Sequence, residues 1–219
     1  MQAFASAVLF DFDGVIIDTE WPIYEAWAEI FQSEGQHLAP ETYVQCVGSD
    51  FNTWSAETHL EELTGKTYDW DAINKPKQAK IMAALEQPST LPGVREVFAA
   101  CAAHGIPIMV VSSSTHQWVD TFLKKLGLYD LIQGSVCRGD AAQIKPAPDL
   151  YLEAVHQLKL PAHECLVIED SLNGTKAGVA AGCQTCVVPS KLTSSLDFSI
   201  ADNVIGSLLE LDIQAIKSI

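Results

Sequence analysis

The strongest constraint on the fold of this chain is the form of its apolar runs. They are short, mostly continuous and widely spaced, at residues 6–11, 107–112, 131–136, 164–169 and 184–188, with a weaker one at 203–205. A strand with one face in water alternates apolar and polar residues. A run that is apolar throughout suits a parallel sheet covered on both faces. Helical patterns lie between the later runs. Residues 93–104 set Val94, Val97, Phe98 and Cys101 on one face before Gly105. Residues 115–126 do the same with Trp118, Val119, Phe122, Leu123 and Leu126 before Gly127, and 149–158 with Leu150, Ala154, Val155 and Leu158. Strand alternating with helix predicts a doubly wound, Rossmann-like α/β fold built on a parallel sheet.

One interval breaks this rhythm. Roughly 95 residues separate the strand ending at Asp11 from the next, where a crossover needs only about a dozen. Most of the interval reads as helix. Residues 22–34 align Ile23, Trp27, Ile30 and Phe31, with Pro22 tolerated in the first turn. Segments 40–47, 52–64 and 71–86 are weaker helical patterns, and Pro88-Ser89-Thr90-Leu91-Pro92-Gly93 reads as a linker and helix entry. The expectation is an α/β core from 1–15 and 90–219, interrupted at 16–89 by an all-helical cap. Loops after strand C-termini carry the ligand sites of such folds, so the insertion would cover the tip of the first strand.

Charge narrows the partners. The 219 residues include 13 basic and 28 acidic side chains, a net charge of −15. Such a surface repels nucleic acid and anionic membranes. An anionic substrate would need local positive charge. No apolar run approaches the length that spans a bilayer, and the N-terminus has no signal-peptide pattern. A cytoplasmic protein is expected, with a monomer as the default. The cysteines lie mostly inside apolar segments and read as thiols. Cys183-Gln184-Thr185-Cys186 has C-x-x-C spacing but runs into a strand, whereas a redox motif opens a helix.

Chemistry concentrates at the ends of the strands. Asp11-Phe12-Asp13-Gly14 closes the first apolar run. Residues i and i+2 of an extended segment point to one side, so the two carboxylates would converge; two acids and a glycine are also ordinary turn chemistry. Ser112-Ser113-Ser114-Thr115 leaves the second run and enters a helix. It reads as an anion cradle of hydroxyl and free N–H groups, or as plain N-capping by Ser114 or Thr115. Lys145 precedes Pro146-Ala147-Pro148, which would hold it stiffly; alone it is equally an exposed loop lysine. Glu169-Asp170-Ser171 ends a run apolar enough to be a central strand, and Asn173-Gly174 and Gly182 bracket the next short helix. Carboxylates crowded together call for a hard cation, and Mg²⁺ takes one or two carboxylates plus waters and substrate phosphate. With the lysine, the serine and the N–H groups, the site reads as Mg²⁺-assisted phosphoryl transfer.

In this combination the chain resembles the haloacid dehalogenase superfamily, in the branch with a helical cap after the first strand. Within it, the chain is similar to the sugar-phosphate phosphatase and β-phosphoglucomutase-like group. The resemblance rests on Asp11-Phe12-Asp13-Gly14-Val15, continuing through Ile16-Ile17-Asp18-Thr19-Glu20. Ser112 follows, then Lys145-Pro146 with Pro148-Asp149, then Glu169-Asp170-Ser171, and Asn173-Gly174 with Ala180-Ala181-Gly182 also fits. It covers the core fully and the cap less sharply. It implies that Asp11 is the nucleophile, forming an aspartyl-phosphate, and that Asp13 protonates the leaving oxygen and then activates water. Ser112 and the Ser113 N–H would hold the phosphoryl oxygens, with Gly14 at the same phosphate site, and Lys145 would balance charge. Mg²⁺ would take Asp11, the Asp13 backbone carbonyl and Asp170, with Glu169 at or just behind the first shell. The substrate would be a small phosphorylated metabolite.

Other chemistries fit less well. Dehalogenase and phosphonate-hydrolase relatives lack the acid at Asp13. A β-phosphoglucomutase-like enzyme holds its second phosphate with a cap arginine shortly after a glycine. The comparable stretch here is Val47-Gly48-Ser49-Asp50-Phe51, and from Gly14 to Pro92 the only cations are Lys66, Lys75, Lys77 and Lys80. That favours hydrolysis over a phosphosugar mutase. A non-catalytic phosphometabolite-binding protein would have no need of Asp13. Lys75 and Lys77 read as a solvated helix face or as contacts to an anionic substrate, and Trp21, Trp54 and Trp70 as core or cap packing ahead of walls of a substrate pocket.

Overall fold

The structure is a computed structural model and describes residues 5–48 and 54–211. Strands β1 (Ala7–Phe10), β2 (Ile108–Val111), β3 (Gly134–Val136), β4 (Cys165–Glu169), β5 (Gln184–Val187) and β6 (Asn203–Val204) form one sheet. Its order is β3-β2-β1-β4-β5-β6, and every pairing is parallel. β1 lies between β2 and β4, with Val8 opposite both Ile108 and Leu166.

The continuity of the apolar runs has a direct cause. Val8, Phe10, Ile108, Val110, Leu166 and Ile168 face helices α5 (Val94–His104) and α6 (His116–Leu126). Their neighbours Ala7, Leu9, Met109, Val111, Cys165 and Val167 face α7 (Asp149–Leu158) and α8 (Leu172–Ala180). β1, β2 and β4 are each covered on both sides, so neither of their faces can be polar. Gly105 and Gly127 end α5 and α6 in the left-handed region, as their positions predict.

Two boundaries differ from expectation. β3 begins at Gly134, because Leu131 belongs to a 3₁₀ turn, Tyr129–Leu131, and is exposed. Helix α8 begins at Leu172 behind an N-cap at Ser171, so Asn173-Gly174 lies inside its first turn and does not precede it.

Between β1 and α5 the chain is helical: α1 (Glu20–Ser33), α2 (Pro40–Tyr43), α3 (Ala56–Thr64) and α4 (Trp70–Ala84). The segment 40–47 gives only one α-turn followed by a 3₁₀ turn, Val44–Cys46. Helix α4 continues through Pro76. These helices enclose their own apolar cluster, including Tyr24, Trp27, Phe31, Tyr43 and Leu60, with Trp21, Trp54 and Trp70 packed against it. Leu192, from the chain after β5, is buried in the same cluster, and the Asn173 side-chain amide donates to the Val47 carbonyl at 3.0 Å. The helical layer is thereby docked over the C-terminal end of the sheet. No helix among the described residues is long and apolar enough to cross a membrane. The cysteines are all buried.

Candidate active site

In a sheet of this order the direction of winding reverses between β1 and β4, and the crevice beyond those strand ends is where ligands bind. The chain puts its acids there. The Asp11 N–H continues the ladder onto the Ile168 carbonyl at 2.9 Å, and the Ser112 N–H does so onto Val136 at 3.0 Å. Both side chains are therefore placed by strand backbone. Gly14 then turns the chain with φ +85°, its N–H donating to the Ile17 carbonyl at 2.8 Å.

Lys145 is buried, not exposed. Its ammonium donates to Asp11 Oδ1 at 2.5 Å, to Glu169 Oε1 at 2.7 Å and to the Val111 carbonyl at 2.8 Å. Burial alone would lower its pKa, but the two carboxylates outweigh burial and hold it above the ordinary lysine value. Asp11 has the opposite balance. Burial, then the charge of Glu169, push it up to about 8 against the pull of Lys145. One ammonium does not neutralise this many acids.

Asp11, Glu169 and Asp170 can each bring a carboxylate oxygen within 4.8 Å of the others. Their surroundings differ. Glu169 Oε1 accepts from Lys145 and from the Tyr151 hydroxyl at 2.8 Å; Oε2 accepts from the N–H groups of Asp170 and Ser171 and from the Ser171 hydroxyl. These donors saturate it, so it stands behind the cluster as a brace. Asp170 is fully buried and neither of its oxygens has a hydrogen-bond partner among the described residues. Its pKa is driven well above the ordinary value by burial, then by Asp11 and Glu169. A buried, unpartnered carboxylate costs several kcal/mol unless a cation or proton meets it. The donor set, all hard oxygen, suits a small divalent cation.

Asp13 belongs to a different environment. Its Oδ1 accepts from the Thr19 hydroxyl at 2.6 Å and the Trp118 indole at 2.8 Å, and its Oδ2 from the Ser114 hydroxyl at 2.7 Å and more weakly from Ser112 at 3.4 Å. Ser114 thus serves Asp13, and neither it nor Thr115 caps α6 through its side chain. The Ser112 hydroxyl accepts the Ser114 N–H at 3.0 Å, while the Ser113 hydroxyl is buried without a partner among the described residues. A cleft of about 140 Å³ opens here, lined by Asp11, Asp13, Ser112, Ser113, Lys145 and also Glu20 and Arg138. Burial, then Asp13, Asp11 and Asp18, raise Glu20 to about 8. Next to it a cavity of about 740 Å³ lies between cap and core, lined by Trp27, Asn74, Lys75, Lys77, Ser114 and Trp118. Ser49, Asp50 and Phe51 of the expected cap loop lie outside the described residues.

All the sequence-predicted site residues converge: Asp11, Asp13, Gly14, Ser112, Ser113, Lys145, Glu169 and Asp170. Sequence reasoning missed Trp118, Tyr151, Glu20, Arg138 and the role of Thr19. Thr19 and Glu20 directly continue the motif at Asp11, which was a usable signal. Trp118 was hidden in an apolar stripe.

Residues 8–188 match the haloacid dehalogenase-like hydrolase family. YhcW of Bacillus subtilis (strain 168), which carries the provisional name of a phosphatase, is 34% identical over 94% of each chain. Hexitol phosphatase B of Escherichia coli (strain K12) is 27% identical over 94% of this chain and 93% of its own. Among solved structures, a haloacid dehalogenase family hydrolase from Deinococcus radiodurans with bound phosphate and sodium superposes with a TM-score of 0.78. It shares 28% identity, covering 97% of this chain and 95% of its own. The family match runs from β1 to just past β5 and takes in every strand tip that carries an acid, the lysine or the serines: the chain belongs to the haloacid dehalogenase-like hydrolases.

Proposed function

We propose that this hydrolase is a Mg²⁺-dependent phosphatase that cleaves a small phosphorylated metabolite, a sugar phosphate, through an aspartyl-phosphate on Asp11. The observation that carries the reading is the contrast between two aspartates two residues apart. Asp11 is paired with Lys145 inside an excess of buried acid. Asp13 is ringed by hydroxyl and indole donors. One environment suits a nucleophile beside a cation, the other an acid–base group held in a fixed orientation.

The unpartnered oxygens of Asp170 and the absence of a β-carbon at Gly14 beside them fit a metal ion. Asp11, Asp170 and the Asp13 backbone carbonyl would hold Mg²⁺, which when bound offsets charge on the phosphoryl oxygens. The chain's own groups do the rest. The Asp11 carboxylate bonds to phosphorus as the bond to the leaving alcohol breaks, and Asp13 gives that alcohol its proton. Asp13 then takes a proton from the water that cleaves the acyl phosphate and restores Asp11. The Ser112 hydroxyl and Ser113 N–H hold phosphoryl oxygens, and Lys145 balances their charge. Residues 16–89 act as the cap and 1–15 with 90–219 as the catalytic core, working as a monomer in the cytoplasm.

A relative named as a hexitol phosphatase and the larger cavity beside the cleft support a sugar phosphate as substrate. The lack of arginine between Gly14 and Pro92 weighs against a mutase. The test is phosphate release from p-nitrophenyl phosphate and a sugar-phosphate panel, with and without Mg²⁺. Mg²⁺-dependent release is expected. Isomerised product without free phosphate would assign a mutase, and no turnover of any substrate by folded protein would overturn the proposal.

A further inference from the structure

Resting on the phosphatase reading above, we infer that Trp118 is the positioning residue for Asp13 and decides which carboxylate oxygen passes the proton. The indole N–H of Trp118 lies 2.8 Å from Asp13 Oδ1, and the Thr19 hydroxyl 2.6 Å from the same oxygen. An indole can only donate. Oδ1 therefore keeps one lone pair committed to Trp118, and its other faces Thr19. Thr19 is fully buried, and its hydroxyl would lose its acceptor if Oδ1 carried the proton on that side. Oδ2 is different. Its nearer partner is the half-buried hydroxyl of Ser114 at 2.7 Å, with that of Ser112 at 3.4 Å; Ser114 lines the open cleft, so its hydroxyl can turn and accept while its own proton meets solvent, which fully buried Thr19 cannot do. The proton of Asp13 belongs on Oδ2, the side that faces the phosphate cradle.

Packing alone does not account for this tryptophan. The buried stripe of α6 is complete in Val119, Phe122, Leu123 and Leu126. Trp118 is half-buried and borders both the cleft and the larger cavity. Its ring meets Phe122 edge-on, with centroids 4.8 Å apart at 66°, and Phe122 is fully buried. That contact fixes the direction of the N–H. Asp13 Oδ1 is thereby pinned between a core helix and the entry to the cap. In the first half-reaction the Asp11 oxygen–phosphorus bond forms and the phosphorus–alkoxide bond breaks. The electron pair on the departing oxygen takes the Oδ2 proton, leaving Asp13 ionised with both Oδ1 donors already in place.

The consequence is a dependence on leaving group. A p-nitrophenolate departs without a proton, whereas more basic leaving groups need one. The value of kcat/KM, which covers steps through formation of the aspartyl-phosphate, is to be measured for p-nitrophenyl, phenyl and p-methoxyphenyl phosphate. In the unmodified enzyme it should vary little along the series. General acids contribute about 10²–10⁴-fold. In Trp118→Phe the phenyl and p-methoxyphenyl values should fall about tenfold or more, with p-nitrophenyl changed by less than about threefold. Trp118→Met, a flexible apolar filler, is the second donor-less variant if the first does not fold. Phe122→Leu, which disturbs packing and keeps the N–H, should lower the melting temperature and leave the leaving-group dependence unchanged. An equal fall on all three esters in both donor-less variants would overturn the inference, as would no change in slope, or a steep slope in the unmodified enzyme. Failure of the unmodified enzyme to hydrolyse any ester would count against the phosphatase reading itself.

Discussion

Gly14 stands so close to Asp170 that a β-carbon placed on it would lie 2.3 Å from Asp170 Oδ2. Its φ of +85° is also one that side chains rarely adopt. Gly14→Ala therefore meets two costs. The backbone cost is about 1–2 kcal/mol, and the overlap displaces a buried carboxylate. Displacements near 1 Å in a catalytic site can cost about 100-fold. We expect a folded protein with a lowered melting temperature, a fall in kcat/KM of about that size, and loss of any stabilisation by Mg²⁺. Calorimetry with and without the ion reads the last; an undiminished Mg²⁺ response would show that Asp170 can move aside.

The part of the site that was legible in the sequence is the part carried by consecutive residues at strand ends. Asp11, Asp13, Ser112, Lys145, Glu169 and Asp170 each follow an apolar run or sit in a short motif, and parallel pairing alone brings the strand ends together. The residues that orient them were not legible, because their partners are remote. Trp118 reaches Asp13 across 105 positions, and an indole counts as apolar in any periodicity, so its one N–H left no trace. Tyr151 was likewise invisible: it packs in the apolar cluster under α7 while its hydroxyl reaches Glu169. In the cap, short helices held by aromatic packing made weak patterns. Helix α2 is a single turn, and Pro76 would ordinarily argue against a continuous α4.

Metal-free protein should lose stability as pH rises from about 5 to 8. Asp11 and Glu20 are pushed from 3.8 and 4.5 to about 8, and Asp170 well above 3.8. Across that window the folded chain binds protons that the unfolded chain has released, so the slope of stability against pH is negative. For Asp11 and Glu20 the contribution is complete below about pH 4 and is lost as pH rises through about 8. A Mg²⁺ ion, which favours ionised carboxylates, should reverse the trend. Melting temperatures in chelator at pH 5 and 8 measure it, each kcal/mol being worth about 2–4 °C at this size. Asp170→Asn should melt higher than the parent at pH 8 in chelator and gain nothing from Mg²⁺. A metal-free parent that melts higher at pH 8 than at pH 5 would contradict the account.

Lys145→Met tests whether the ammonium holds the fold as well as the chemistry. It is the shared donor to Asp11 and Glu169, and methionine has similar length without charge. Breaking a buried pair from one side costs about 3–5 kcal/mol, since the partners stay buried and unpaired. Asp11 already holds its proton below about pH 8 with Lys145 present, so the loss should be nearly the same at pH 5 and pH 7. Turnover should be absent at every pH. Denaturant titrations at pH 5 and 7 measure it; a loss below about 1 kcal/mol at both would mean that the carboxylates find other partners.

Lys77 offers a way to ask what the cap contributes to substrate choice. Its ammonium lies 3.5 Å from the centre of the Trp27 ring and borders the cavity next to the cleft. Burial lowers its pKa to about 8, against a small opposing effect of Glu57. A lysine lowered in this way is charged below about pH 8 and neutral above it, so a contact to an anionic or hydroxyl-rich substrate weakens as pH rises through that value. The chemistry at Asp11 is elsewhere, so the effect should fall on KM. For a hydrolysed sugar phosphate, KM should climb between pH 7 and 9. In Lys77→Met it should be about tenfold higher at pH 7, the worth of one charge-assisted hydrogen bond of about 1.5 kcal/mol, and flat with pH. The kcat for p-nitrophenyl phosphate, whose small ring does not need the cavity, should stay within about twofold. If KM for every sugar phosphate were the same in the variant as in the parent, the ammonium over Trp27 would be a packing feature of the cap and the substrate would be chosen elsewhere.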